Sequence, residues 1–290
     1  MGPTLAIVAA VLFALGTVLQ QKGTLSTEAS EGDPHFLLQI LRRPVWIAGA
    51  VLMASGWVLQ AMALDRASLV VVQSLTALSL VIALPLGALL TDQHIGRREL
   101  GGALLTSLGI IFFIAAGQPQ GGTNHPSATS WWIAGVSIGV LVIVLVAVGA
   151  RFSGAARALT FGAASGLGFG LQAAVTKTFV TEIGAGVLAL LSGWAAWVLI
   201  LSALTGFALQ QSALKTGVLA PAMASANSVT LFTSVVLGIT VYGEQVSKGG
   251  TGHSSSAFLG LFVAIVGIAL LAGSQAPQTG SADPSPSPAT

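Results

Sequence analysis

Residues 57–69 read WVLQAMALDRASL, and 150 positions later residues 207–219 read FALQQSALKTGVL, which lays Leu59, Gln60, Ala63, Leu64 and Leu69 over Leu209, Gln210, Ala213, Leu214 and Leu219. A glutamine closing an apolar run is an unlikely ornament to repeat, because a buried amide without a partner costs on the order of 2–7 kcal/mol. Two more offsets follow in the same order. A shift of 152 sets LGTVLQ (15–20) on LGFGLQ (167–172), and a shift of 158 matches Gly102 and Gly109 with Gly260 and Gly267. The chain reads as a duplicated one.

The solvent of that duplicated unit follows from composition. Only 7% of the residues are charged and 54% are hydrophobic, with a mean hydropathy of +0.88, whereas soluble domains carry about 25% charged residues. This is a membrane composition. The net charge of +2 rests on a few side chains and gives no footprint for nucleic acid. Cys is absent, which removes disulfides, thiolate nucleophiles and Cys-based metal sites. The four histidines, His35, His94, His125 and His253, fall in loops and read as solvated.

Runs long enough to cross a bilayer, about 20 mainly apolar residues, occur near 3–20, 45–64, 68–91, 99–117, 131–150, 156–180, 187–211, 217–242 and 256–274. Spanning segments without a barrel pattern must be helices, since hydrocarbon offers backbone groups no water. The fold class is therefore an all-α integral membrane bundle of about nine helices. Only Met1 and Gly2 precede the run that opens at Pro3, with no basic stretch before it and no small-x-small site before Gln20, so it reads as a retained helix.

Nine spans put the termini on opposite sides. One side collects Lys22, Arg42, Arg43, Arg97, Arg98, Arg151, Arg157 and Lys215, and the other only Arg66, Lys177 and Lys248. Positive residues favour the cytoplasm, which places the N-terminus outside and the C-terminus inside, in a multi-pass cell-membrane protein. Four helices (1–117), an external loop and connecting helix (118–155) and four more helices (156–274) leave the second repeat inverted, and residues 275–290, Pro- and Ser-rich, read as a disordered cytoplasmic tail. The cluster Phe36, Leu37, Leu38, Ile40 and Leu41 before Arg42 reads as a short interfacial helix.

Inverted repeats of this kind place a solute site near the midplane. Gln20, Gln60, Gln172 and Gln210 are expected to avoid lipid. Gln73 and Thr76 share one helix face, and Asn227, Thr230 and Ser234 share another. Together Gln20, Gln60, Gln73, Thr76, Gln172, Gln210, Asn227 and Thr230 form the expected substrate-binding set. Interhelical hydrogen bonding is the alternative for each. Gly162, Gly166 and Gly170, four apart, read as a packing face, and Pro85 and Pro221 as places where backbone carbonyls can be released, with the tolerated first turn of a helix the alternative for Pro221. Asp65, Asp92, Glu99, Glu182 and Glu244 all fall at helix ends or in loops, and Lys22 and Lys177 read as headgroup anchors. No nucleophile beside a helical His, facing aspartate pair or HExxH is present, so no enzyme is expected.

These segments in order resemble the drug/metabolite transporter superfamily, and within it the NIPA-type magnesium transporter family. The likeness lies in LQQKG (19–23), RPVWIAGAVLMASGWVLQAMAL (43–64), ASLVVVQSLTALSLVIALPLGALLTD (67–92) and LQQSALKTGVLAPAMASANSVTLFTSVVLGITVYGE (209–244), and covers about residues 1–274. The resemblance implies nine helices, an external N-terminus and Mg²⁺ as substrate, with no cofactor. The residues themselves offer magnesium, which is usually held through carboxylates, only the rim candidates Asp65, Asp92 and Glu244. An exporter of a small polar metabolite or drug suits the same amides, as does a non-transporting membrane subunit. Partners are then the bilayer and a small solute or divalent cation; the bundle plan is compatible with a homodimer without requiring one.

Overall fold

Where no water can reach the backbone, helix is the solution available to a lone segment, and the chain adopts it almost throughout. A computed structural model describes residues 1–25, 42–91, 96–123, 125–183, 193–214, 216, 219–246 and 251–274. The elements are α1 (Gly2–Leu25), α2 (Pro44–Arg66), α3 (Leu69–Thr76), α4 (Ser79–Thr91), α5 (Arg97–Gly117), β1 (Gln120–Gly121), α6 (Ala128–Gly149), α7 (Gly154–Ile183), α8 (Trp194–Leu214), α9 (Leu219–Thr240), β2 (Glu244–Gln245) and α10 (Thr251–Ser274). Six described segments are long and apolar enough to cross a membrane, Leu69–Leu90 counted as one of them, and three shorter apolar helices lie within α8, α9 and α10.

The outward faces carry the largest apolar residues, among them Leu108, Ile143, Leu201 and Phe262, all exposed. A soluble protein would bury them; here they meet lipid. Many alanines are fully buried, including Ala6, Ala9, Ala10, Ala158, Ala164, Ala174 and Ala264, beside larger residues such as Leu64, Phe113 and Ile268, as suits helices held in lipid by close packing. Buried hydroxyls return to their own helix: Thr106 Oγ1 donates to Gly102 O at 2.8 Å and Thr176 Oγ1 to Gln172 O at 2.7 Å.

The third apolar run departs from the expected single helix. It divides at Ala77 and Leu78, where Leu78 N donates to Leu75 O (3.1 Å) and Leu80 N to Ala77 O (3.4 Å), so the ladder tightens to i→i−3 for about a turn. Pro85 sits inside α4, and Pro221 falls in the tolerated first turn of α9.

Helix α1 packs on α2 and α4, α7 packs on α8 and α9, α5 packs on α10, and α3 meets α9. Glycines mark the closest approaches. A Cβ on Gly16 would stand 2.8 Å from Gly49 O, and one on Gly168 would stand 3.1 Å from Gly206 Cα, which joins α1 to α2 and α7 to α8 in the same manner. Gly166, centre of the expected glycine face, has Ala226 O of α9 at 2.6 Å from where its Cβ would be. At the α5–α10 crossing Gly109 faces Gly260 and Gly102 faces Gly267. The polar loop after α5, read from sequence only as a boundary, pairs with the segment after α9: Gln120 lies opposite Gln245 and Gly121 opposite Glu244, antiparallel.

Candidate functional site

A cavity of about 350 Å³ lies between α1–α4 on one side and α7–α9 on the other, with Ile268 of α10 at its edge. Seven of the eight residues expected from sequence line it: Gln60 of α2, Gln73 and Thr76 of α3, Gln172 of α7, Gln210 of α8, and Asn227 and Thr230 of α9. The eighth, Gln20, is not among the lining residues. Its backbone N and Cγ press on Gly49, where a Cβ would come within 2.9 Å of both, so α1–α2 packing holds Gln20. Sequence reading missed the aromatic part of the wall, Phe13, Trp57 and Phe169, of which Phe13 and Trp57 meet edge to face at 6.1 Å and 78°. The spacing contained the clue: Trp57 precedes Gln60 by three and Phe169 precedes Gln172 by three, one helix face in each case.

The polar groups of this wall differ in what they have left to offer. Thr76 Oγ1 donates to Val72 O (3.0 Å) and Thr230 Oγ1 to Ala226 O (2.7 Å), so both hydroxyl protons are used and only lone pairs remain. Gln73 Nε2 and Gln172 Oε1 are buried with no hydrogen-bond partner among the described residues. No charged residue is among those described along the wall.

One turn beyond Gln73, at the end of the bundle shared by Arg66, Lys177 and β2, a carboxylate of the second half caps a helix of the first. Gly243, with φ +66°, takes the left-handed conformation open to glycine and turns the chain after α9 so that Glu244 doubles back. Glu244 Oε1 accepts from Leu69 N at 2.5 Å and Oε2 from Val70 N at 2.9 Å, while Ser68 Oγ accepts from Val71 N at 3.2 Å. The first three amides of α3, which have no partner inside the helix, are thereby satisfied, and a carboxylate sits at the positive end of its dipole. Lys177 Nζ of α7 lies 2.7 Å from Glu244 Oε1, with the two side chains only 6% and 0% exposed, and 4.6 Å above the Tyr242 ring.

Two sequence expectations are corrected here. Lys177 is not a headgroup anchor but half of a buried ion pair, because Glu244 is folded inward to meet it; Lys22, by contrast, is exposed at the end of α1. Glu244 is likewise not at a rim, and both its oxygens are occupied by amides and an ammonium. Asp65 is exposed at the end of α2, and Asp92 lies outside the described residues, as do the cluster at 36–41, His35, His94 and the tail from 275. Among the described residues no three His, Asp or Glu come together as a metal site.

Tyr242, the chain's one tyrosine, closes this end. Its hydroxyl donates to Ala174 O at 2.6 Å and lies 2.7 Å from Thr178 Oγ1, and Trp131 stands edge-on to its ring at 5.9 Å. Burial first, and the neighbouring Glu244 carboxylate second, push the phenol above its usual value of about 10. A raised folded-state value means the proton is held more tightly folded than unfolded, so this contribution is intact below about pH 10 and lost as pH rises beyond it. Ultraviolet titration should therefore show no phenolate near pH 10 while the fold persists, and Tyr242→Phe should flatten the alkaline fall in stability. Phenolate appearing near pH 10 in folded protein would contradict the burial.

Greasy outward faces, an all-helical interior and a polar cavity define a multi-spanning all-α membrane protein. The chain is 31% identical over 253 residues to an uncharacterized protein of Corynebacterium glutamicum, across 83% of this chain and 84% of that protein, and it belongs to the same family. No family model matches it, and no solved structure does.

Proposed function

We propose that the protein is a secondary carrier that moves a small solute by alternating access through the cavity between its halves. The observation that carries this reading is the wall itself: seven amide or hydroxyl residues from both halves converge on one uncharged cavity in a chain otherwise starved of polar groups. Nine spans in two inverted repeats are supported by reciprocal packing. If the 158-residue shift relates the halves, Gly102 and Gly109 exchange with Gly260 and Gly267, and the contact of Gly102 with Gly267 becomes that of Gly260 with Gly109; both contacts occur. The pairings of α1 with α2 and α4 recur as those of α7 with α8 and α9.

The distribution of Lys and Arg supports an external N-terminus in the cell membrane, which makes the Glu244 end external. The cavity then starts one turn beneath the Lys177–Glu244 tie and reaches Ala83 and Gln210 towards the cytoplasmic ends of α4 and α8. In this reading the closed external gate is the bonding of Glu244 to the Leu69 and Val70 amides, which joins the halves, with Lys177 of the same half as Glu244 holding the carboxylate in place. For the solute, the likeness to NIPA-type proteins favours Mg²⁺ or another divalent cation, contacted through its water shell by amide oxygens. The uncharged wall favours the second reading, export of a small polar metabolite or drug.

Flux into proteoliposomes tests the proposal. Gln60→Leu and Asn227→Leu, which leave the packing seams untouched, should lose most transport, on the order of tenfold each for a lost solute hydrogen bond in a buried site, while unfolding at the wild-type temperature. Unchanged flux in both would remove the cavity from the pathway, and no flux across a broad panel would leave a membrane subunit whose polar residues only join helices.

A further inference from the structure

We infer that the groove between α6 and α8 holds a membrane phospholipid with an ammonium headgroup, of the phosphatidylethanolamine kind, its cation seated among indole rings and the Glu182 carboxylate. This site is separate from the cavity between the halves and does not rest on the carrier reading.

The argument starts from how three helices meet. Helices α6 and α8 each pack on α7, and Trp131 of α6 meets Trp194 of α8 at 5.1 Å, the rings tilted by 60°. Beside that ring pair lies a cavity of about 740 Å³ lined by all three helices. It opens on lipid, since Trp132 and Val136, one turn apart on its α6 wall, are 74% and 57% exposed. Its depth in the bilayer follows from where its residues stand. Trp131 is in the first turn of α6, Glu182 in the last turn of α7, and Trp194 opens α8. Helix ends lined with Trp mark the headgroup level of a membrane.

The chemistry of the wall selects the headgroup. Glu182 lines the groove half-buried, so its carboxylate keeps a surface that a ligand can reach. Among the described residues no donor or cation bonds it. Lys177, five residues back on α7, is committed to Glu244 and lies over the Tyr242 ring. A carboxylate in an apolar setting with no internal counter-charge favours a cation from outside, and Trp is the best aromatic partner for an organic ammonium group. A magnesium-like ion is less well served, because no second carboxylate joins Glu182 among the described lining residues. An anionic headgroup would be repelled. His125, exposed at the mouth of the same cavity, offers an N–H to the phosphate that follows the ammonium in such a lipid. Below it the exposed stripe of Val136, Val140 and Ile143, on one face of α6, gives the acyl chains a track.

The test offers the full-length protein, in mild detergent, equal amounts of phosphatidylethanolamine, phosphatidylglycerol and diacylglycerol, and reads the retained lipid by native mass spectrometry. Phosphatidylethanolamine should be retained at about tenfold lower concentration than either of the others, the scale of a partly desolvated cation–aromatic contact. Glu182→Gln should remove most of that preference, and Glu182→Lys should turn it towards phosphatidylglycerol. Trp194→Leu should weaken retention, whereas Trp197→Leu, on the same helix but not among the lining residues, should not. Because no described side chain bonds Glu182, Glu182→Gln should melt like the wild type without added lipid, which separates lost binding from lost folding. Dodecyltrimethylammonium, a soluble cation with a tail, should compete with phosphatidylethanolamine for the wild type. Equal retention of the three lipids, or a preference that Glu182→Gln leaves intact, would overturn the inference. So would binding of dodecyltrimethylammonium with no retention of phosphatidylethanolamine, which would assign the groove to a free amphiphilic cation.

Discussion

Lys177→Met is expected to destabilise the protein by about 3–5 kcal/mol, the usual consequence of removing one partner from a buried ion pair. The substitution keeps the length and apolar body of the side chain and deletes its charge, so Glu244 is left without a counter-charge at 0% side-chain exposure, with nothing but the Leu69 and Val70 amides to hold it. Those two bonds moderate the loss, because a carboxylate at a helix N-terminus is stabilised by the dipole. Glu244→Gln alone should cost a comparable amount, as it unpairs Lys177 in turn and weakens the cap on α3. The double variant, in which neither charge remains, should recover part of the loss, and the size of that recovery measures the coupling. Unfolding titrations in mixed micelles read all four corners of the cycle. Lys177→Met melting like the wild type would mean the pair is not formed in the membrane. On the proposed carrier reading the double variant should also leak in flux measurements, since the carboxylate cap that joins α3 to the second half is then weakened.

The second large effect is expected at the crossing of α5 and α10. Gly260→Leu places a Cβ 2.7 Å from Phe113 N and 2.9 Å from Gly109 O. Both are backbone atoms, which cannot rotate aside, so the helices must part along the seam and give up the neighbouring close approach of Gly267 to Gly102. Overpacking of this kind costs about 1–3 kcal/mol and at times more, and in lipid no hydrophobic drive restores the contact. Loss of folded yield and a lowered unfolding midpoint are the readouts. By the reciprocity of the two contacts, Gly109→Leu should be equally harmful, whereas Gly135→Leu on α6, where a Cβ would meet nothing within 4 Å, should be tolerated. A harmless Gly260→Leu would argue that α5 and α10 do not pack as described.

The positions that were readable in advance share one property: their cost is set by the solvent and not by the partner. An apolar run of spanning length declares itself because hydrocarbon is a uniform medium, and helix bounds such as Pro44–Arg66 and Ala128–Gly149 lie within a few residues of the runs at 45–64 and 131–150. An amide within such a run must turn from lipid wherever it can, which is why Gln60, Gln73, Gln172, Gln210 and Asn227 could be gathered before any fold was in view, along with the small faces at Gly162, Gly166 and Gly170.

What stayed hidden depends on which surface meets which. Gln20 obeyed the same rule as its fellows, yet Gly49 lets α2 come so close that Gln20 is taken up in the α1–α2 contact. The break after Thr76 left no mark that Pro85, nine residues on, could explain. The meeting of Lys177 with Glu244, 67 residues away, and of Glu244 with the amides of Leu69 and Val70, 175 and 174 residues away, needed α3, α7 and the turn at Gly243 to arrive at one place. From the amino acids alone came the medium, the helices and the side chains that could not face lipid. Only the tertiary structure decided which charges neutralise each other and which buried polar atoms remain unpaired, because pairing across such distances is chosen by packing and not by any local preference of the chain.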